Sequence, residues 1–89
     1  MVSYKVVYTK GAVKSIPLLK SSGLDIKVKK LIEIIKEKPF QNPPPYEKLK
    51  GDMEGLYSRR INIHHRLVYK VYEKEKIIQI ISMWSHYEY

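Results

Sequence analysis

The sequence predicts an α+β fold, with two N-terminal helices packed on one face of a twisted, mainly antiparallel sheet of about four to five strands. Three observations predict it. Leu24, Val28, Leu31, Ile32 and Ile35 recur at the spacing of one helix face. Three runs rich in β-formers, 56–63, 66–72 and 76–84, are separated only by His64-His65 and by Glu73-Lys74-Glu75. Gaps that short force antiparallel hairpins. A further β-rich run, 3–8, precedes the helical region and is free to pair elsewhere in the sheet.

Each element carries local signals. Thr9 offers a hydroxyl suited to capping a helix N-terminus, and Ala12, Val13, Ile16 and Leu19 supply an apolar stripe behind it. Pro17 lies inside that stripe, so a kink or a helix in two pieces is expected. Gly23 suits the left-handed position after a helix. A second helix starts near Asp25 and stops at Pro39, with Lys29, Lys30, Glu33, Lys36 and Glu37 mostly on its solvent side. Residues 41–55 then contain three consecutive prolines, which favour a stiff, polyproline-like arm presenting Tyr46, Glu47, Lys48 and Lys50.

The chain has 89 residues, which predicts a single domain over 1–89. It has no cysteine, so disulfides and thiolate metal sites are excluded, in keeping with a cytoplasmic location. No signal peptide is expected from the N-terminal MVSYKVVYTK, and no run approaches the ~20 apolar residues that cross a bilayer. Seventeen Lys and Arg against nine Asp and Glu leave a net charge of +8, which attracts polyanions.

Side chains alternate across a strand. In the run 66–72, Leu67, Tyr69 and Val71 form the core set, so Arg66 and Lys70 point to the face not covered by helices. Arg59 and Arg60 have opposite parity, so at most one of them joins Arg66 there. In the last run, Ile78, Ile80, Ser82, Trp84 and His86 share one parity and Ile77, Gln79, Ile81 and Met83 the other. Parity does not say which set is buried, and a bulge would switch it.

Candidate chemistry follows by exclusion. There is no thiol nucleophile, no convincing serine triad and no glycine-rich phosphate loop. Adjacent His64 and His65 would face opposite ways and make a poor metal pair. What remains is an acid on the arm (Glu47), arginines on strands (Arg59, Arg60, Arg66), a terminal histidine (His86) with Tyr87 beside it, and Lys48 and Lys50. That set suits phosphodiester cleavage. A carboxylate or imidazole serves as base for an RNA 2′-hydroxyl, an imidazolium as acid for the leaving 5′-oxygen, and a guanidinium stabilises the charged phosphorane.

The stretch EKLKGDMEGLYSRRINIHHRLVYKVY, residues 47–72, with the closing SMWSHYEY, resembles the YoeB/Txe family of toxins from bacterial toxin–antitoxin pairs, within the RelE-like superfamily. The blocks that carry the resemblance are GLYSRRI (Gly55–Ile61), HRLVY (His65–Tyr69) and His86-Tyr87. The resemblance implies a RelE-like, microbial-RNase-like fold. It implies a ribosome-dependent endoribonuclease that cuts mRNA in the decoding site of the 70S ribosome without metal or other cofactor. The expected products are a 2′,3′-cyclic phosphate and a 5′-hydroxyl. The family's catalytic positions fall on Glu47, Arg66, His86 and Tyr87, and Lys50 and Arg59 match its basic positions associated with RNA contact; Lys48 and Arg60 are expected RNA contacts beside them. Whether Glu47 or His86 is the base stays open. The implied partner is a Phd/YefM-type (YefM/Axe-like) antitoxin whose acidic segment covers the site and which brings operator DNA only indirectly; a homodimer is also compatible. Two rivals stand beside this reading: a ParE-like toxin that acts by binding a protein, and a non-catalytic basic RNA-binding module.

Overall fold

In the computed structural model, which describes residues 3–43, 45–49 and 55–83, the chain runs β1 (Lys5–Tyr8), α1 (Lys10–Ser22), α2 (Asp25–Glu37), β2 (Tyr46–Lys48), β3 (Leu56–Arg60), β4 (Arg66–Tyr72) and β5 (Ile77–Ser82). These five strands form one sheet in the order β1-β5-β4-β3-β2. β1 is parallel to β5 and the other pairings are antiparallel. The predicted class is the observed one, a two-helix layer on a mixed, mainly antiparallel sheet.

Thr9 caps α1 as expected, its Oγ1 accepting from the Ala12 amide at 3.2 Å. Gly23 closes the helix in the left-handed conformation, φ 77°, and its amide donates to the Leu19 and Lys20 carbonyls. Pro17 does not divide the helix. Val13 and Pro17 are both exposed, so the Val13 carbonyl deprived of a donor by Pro17 lies on the solvated side of the helix. α2 buries Val28, Leu31 and Ile35, the stripe read from the sequence, and ends at Lys38 before Pro39.

β4 fills its β-rich run, 66–72, whereas β1 and β3 are shorter than theirs. Tyr4 leaves the first run because its amide donates to the Lys36 carbonyl at the end of α2. The run that begins at Leu56 stops at Arg60 because Asn62 organises a turn: its Oδ1 accepts from the His64 and His65 amides at 2.8 and 2.7 Å. β2 is an edge strand, the place for a segment that follows prolines.

The core lies between the helices and one sheet face. Leu67 and Tyr69 of β4 and Ile78 and Ile80 of β5 are fully buried in it. Tyr69 pairs with Ile80 and Val68 with Ser82, so one extra residue, Ile81, interrupts β5. This bulge reverses the alternation. Ile78 and Ile80 face the helices, Ser82 turns to the opposite face beside Val68, and Met83 returns to the core. A bulge leaves a carbonyl without its ladder partner, and Thr9 supplies one: its hydroxyl donates to the Ile81 carbonyl at 2.9 Å. One side chain therefore caps α1 and satisfies the bulge.

Candidate active site

Register builds the site on the sheet face away from the helices. Glu47 pairs with Ser58, Ser58 with Val68, and Val68 with Ser82, giving a row across β2, β3, β4 and β5. The next row sets Arg60 of β3 directly against Arg66 of β4. Glu47, Ser58, Arg60 and Arg66, with Pro45 and Tyr46, line an open recess of about 300 Å³. Arg66 Nη1 lies 3.9 Å from Glu47 Oε1. With 58% of the Glu47 side chain exposed, water screens this long pair, which holds the carboxylate only loosely.

Like charges directly opposite each other destabilise a sheet. Here two guanidiniums face each other and one carboxylate approaches one of them, so the described residues of the recess carry surplus positive charge. Among the described residues, no carboxylate lies within 4.0 Å of Arg60. An anion with several oxygens, such as a phosphodiester, would relieve that repulsion.

Arg59, expected beside these residues, lies on the other side of the strand. Strand alternation turns it away from Arg60 into the protein, where it is 1% exposed. Its Nε donates to the Tyr69 hydroxyl at 3.2 Å, and its Nη2 to the Pro39 and Gln41 carbonyls at 3.1 and 2.9 Å. The guanidinium also stacks 5.2 Å from the centroid of the Tyr46 ring. The Tyr69 hydroxyl donates in turn to the Pro39 carbonyl at 2.8 Å, and burial pushes this phenol above its ordinary range despite Arg59 beside it. These contacts tie Arg59 to the start of the arm that carries Glu47. Phe40, Tyr46, Tyr57 and Tyr69 pack their rings around the same segment, with centroids 5.0–6.0 Å apart.

Lys48 is likewise displaced from the expected set. It pairs with Tyr57, so it belongs to the sheet face opposite Glu47. Lys50, His86 and Tyr87 lie outside the described residues. The structure thus brings together Glu47, Arg60 and Arg66 of the expected residues and separates Arg59 and Lys48 from them. Sequence reading passes over Ser58, although its two-residue spacing from Arg60 puts both on one face.

The family model described as "YoeB-like toxin of bacterial type II toxin-antitoxin system" matches residues 20–87. The chain belongs to this YoeB-like toxin family. The matched segment takes in every residue expected at the site from the sequence, from Glu47 to Tyr87. The toxin YoeB of Synechocystis sp. is 41% identical over 58 residues, 65% of each protein; the match thus spans a little under two thirds of that curated relative's length. Coverage of solved YoeB-like structures is more complete. The YoeB/ParE toxin from Agrobacterium tumefaciens superposes with a TM-score of 0.85 at 33% identity, over 93% of this chain and 99% of that one. YoeB from Staphylococcus aureus, solved as a dimer and in a YoeB–YefM complex, gives TM-scores of 0.81 and 0.80 at 29% identity, over 97% of this chain and 100% of that one. Among the described residues, no helix is long and apolar enough to cross a membrane.

Proposed function

We propose that this YoeB-like toxin is a ribosome-dependent mRNA endonuclease. The observation that carries the reading is the register of Arg60 against Arg66 beside Glu47 on one open sheet face. The described residues of this site carry more cationic charge than Glu47 balances, and that carboxylate is exposed and only loosely paired. The scissile phosphate binds across the two guanidiniums. Glu47 or His86 takes the proton of the adjacent 2′-hydroxyl, the 2′-oxygen attacks phosphorus, and the bond from phosphorus to the 5′-oxygen breaks. The departing oxygen receives a proton from His86 or, through it, from water. The products are a 2′,3′-cyclic phosphate and a 5′-hydroxyl, with no metal required. Arg66 stabilises the charge that gathers on the phosphorane, and Arg60 and Lys50 hold the RNA backbone. Tyr87 orients the phosphate.

The ribosome supplies what a small open recess lacks. A message held in the decoding site arrives with its 2′-hydroxyl and phosphate already constrained, and such alignment is a large share of the barrier in reactions of this kind. The same surplus charge defines the inhibitor. An antitoxin of the Phd/YefM type neutralises the toxin by laying an acidic segment over Arg60 and Arg66, consistent with the YoeB–YefM assembly of the S. aureus relative. Self-association into a dimer has a parallel in the same relative.

The test is cleavage of a defined message on programmed ribosomes, with 5′ ends mapped and a matched tube of naked RNA in EDTA. Wild type is expected to make a single cut at the decoding site, and Glu47→Ala and His86→Gln to abolish it without loss of fold. Tight ribosome or RNA binding with no cut by folded wild-type protein would replace this reading with that of a binding module.

A further inference from the structure

Ser58 is 1% exposed and stands in the middle of the row that crosses the candidate site, yet its Oγ has no hydrogen-bond partner among the described residues. A buried hydroxyl left unpaired is an unfavourable arrangement that folded proteins rarely keep without a use. Its neighbours on that face narrow the use. Across the ladder stand Glu47 and Val68, and two residues along the strand in each direction stand Leu56 and Arg60. Val68 and Leu56 are apolar, and Arg60, like the diagonal neighbours Arg66 and Lys70, only donates. Of these neighbours, Glu47 is the side chain able to accept from the Ser58 hydroxyl, and it is turned toward Arg66, 3.9 Å away.

We propose that Ser58 is a positioning residue for Glu47: when a phosphate takes Arg66 from Glu47, the Ser58 hydroxyl donates to the released carboxylate and holds it at the wall of the recess. This rests on the endonuclease reading above and deepens it. The geometry suits an exchange. Directly opposed residues in an antiparallel pair have Cβ atoms about 4.5–5.5 Å apart, within reach of a folded-back glutamate. The Glu47–Arg66 pair is long and wet, so an oxyanion competes with it readily. The exchange leaves every group satisfied: the guanidiniums of Arg60 and Arg66 hold phosphate oxygens, and the carboxylate keeps a donor instead of facing the incoming anion unsupported. A carboxylate held in this way is fixed in direction, as a base or an orienting group for the 2′-hydroxyl requires.

The experiment compares wild type, Ser58→Ala and Ser58→Thr in three measurements. Single-turnover cleavage on programmed ribosomes at saturating toxin is expected to fall about tenfold to a hundredfold in Ser58→Ala, the range for losing a hydrogen bond to a charged group. The half-saturating concentration should be unchanged, and Ser58→Thr, which keeps the hydroxyl, should recover most of the rate. The melting temperature of Ser58→Ala should equal or exceed that of wild type, since an unpaired buried hydroxyl has been removed. Finally, protein carrying ¹³C-labelled glutamate is titrated with a 2′-deoxy trinucleotide that cannot be cleaved, with Glu47 assigned by its loss in Glu47→Gln. The Glu47 carboxylate resonance should move in wild type and move differently in Ser58→Ala, at equal affinity for the trinucleotide. Wild-type cleavage with an unimpaired Ser58→Ala overturns the role of Ser58 and leaves the endonuclease reading standing. A fall in rate that tracks a fall in melting temperature makes Ser58 structural and also overturns it. Folded wild type that cuts nothing on ribosomes removes the endonuclease reading, and this inference with it.

Discussion

Arg59→Ala should unfold much of what holds the candidate site, and the size of the effect follows from the groups that the guanidinium binds. It is 1% exposed and is held by the Tyr69 hydroxyl, the Pro39 and Gln41 carbonyls and the face of Tyr46. Truncation removes the donor to the Gln41 carbonyl, and a hydrogen bond to a charged group contributes about 1.5–3 kcal/mol net. The Pro39 carbonyl suffers less because it keeps the Tyr69 hydroxyl at 2.8 Å. Emptying a fully buried long side chain adds a cavity term, with large-to-small core changes spanning about 2–5 kcal/mol. Against these stands relief of the desolvation of a buried cation, which amounts to several kcal/mol. The net expectation is a loss of about 3 kcal/mol, a large fraction of the roughly 5–15 kcal/mol available to a domain. For a chain of this size that lowers the melting temperature by about 12–24 °C. Urea unfolding measures it as a drop in midpoint at constant slope. Arg59→Lys should recover little, because an ammonium cannot reproduce the planar fork that reaches both carbonyls and the phenol. A loss below about 1 kcal/mol in Arg59→Ala, with a fall in RNA affinity instead, would refute the tether and return Arg59 to the ligand-binding set.

Three further outcomes follow from other parts of the molecule. Arg60→Ala should leave the melting temperature nearly unchanged while weakening toxin binding to RNA and lowering the slope of log affinity against log salt by about 1, as loss of one phosphate contact requires; an unchanged slope in a salt titration would take Arg60 out of the RNA path. Thr9→Ala should destabilise by about 1–2 kcal/mol through loss of both the helix cap and the donor to the Ile81 carbonyl, whereas Thr9→Ser keeps both and should stay close to wild type in denaturant unfolding. Burial raises the Tyr69 phenol in the folded state above its unfolded value, so folded protein binds more protons than unfolded protein at high pH. The stabilising contribution is complete below about pH 10 and is lost as pH rises from there toward the folded value; Tyr69→Phe, compared by urea midpoints on either side of about pH 10, should show a shallower alkaline loss than wild type.

How much of this was legible in the sequence depended on where each determinant lies. The α2 stripe, the caps at Thr9 and Gly23 and the inward pair Leu67 and Tyr69 of β4 are local patterns, and the structure keeps all of them. The opposite parity of Arg59 and Arg60 was also readable, but not which of them faces the ligand. Two adjacent arginines are locally equivalent, and the choice is made by Pro39, Gln41, Tyr46 and Tyr69, which fold around one of them from elsewhere in the chain. The ambiguity in β5 has the same origin. Its alternation is broken at Ile81, and the group that makes the break tolerable is Thr9, 72 residues earlier in the chain. Glu47 could be picked out as an acid on a stiff arm, yet its register against Ser58 needed an edge strand that prolines conceal.

The site therefore hangs on one register. A slip of β3 by a single residue would send Arg60 into the aromatic pocket, swing Arg59 to the open face and replace Ser58 by Tyr57 or Arg59 opposite Glu47, because every side chain changes face at once. Packing and hydrogen bonds at both ends of the strand oppose that slip. At its C-terminal end Ile61 is fully buried, its amide donates to the His65 carbonyl at 2.9 Å, and Asn62 locks the turn that sets where β4 begins. Toward the other end the Tyr57 ring packs against Tyr69 and Phe40, and Leu49 returns its amide to the Leu56 carbonyl at 3.0 Å. A turn and an aromatic cluster outside the row that crosses the recess thus decide which arginine faces the recess. Substitutions at Asn62 or Tyr57 should consequently impair the site through the register of β3, even though neither residue lines the recess.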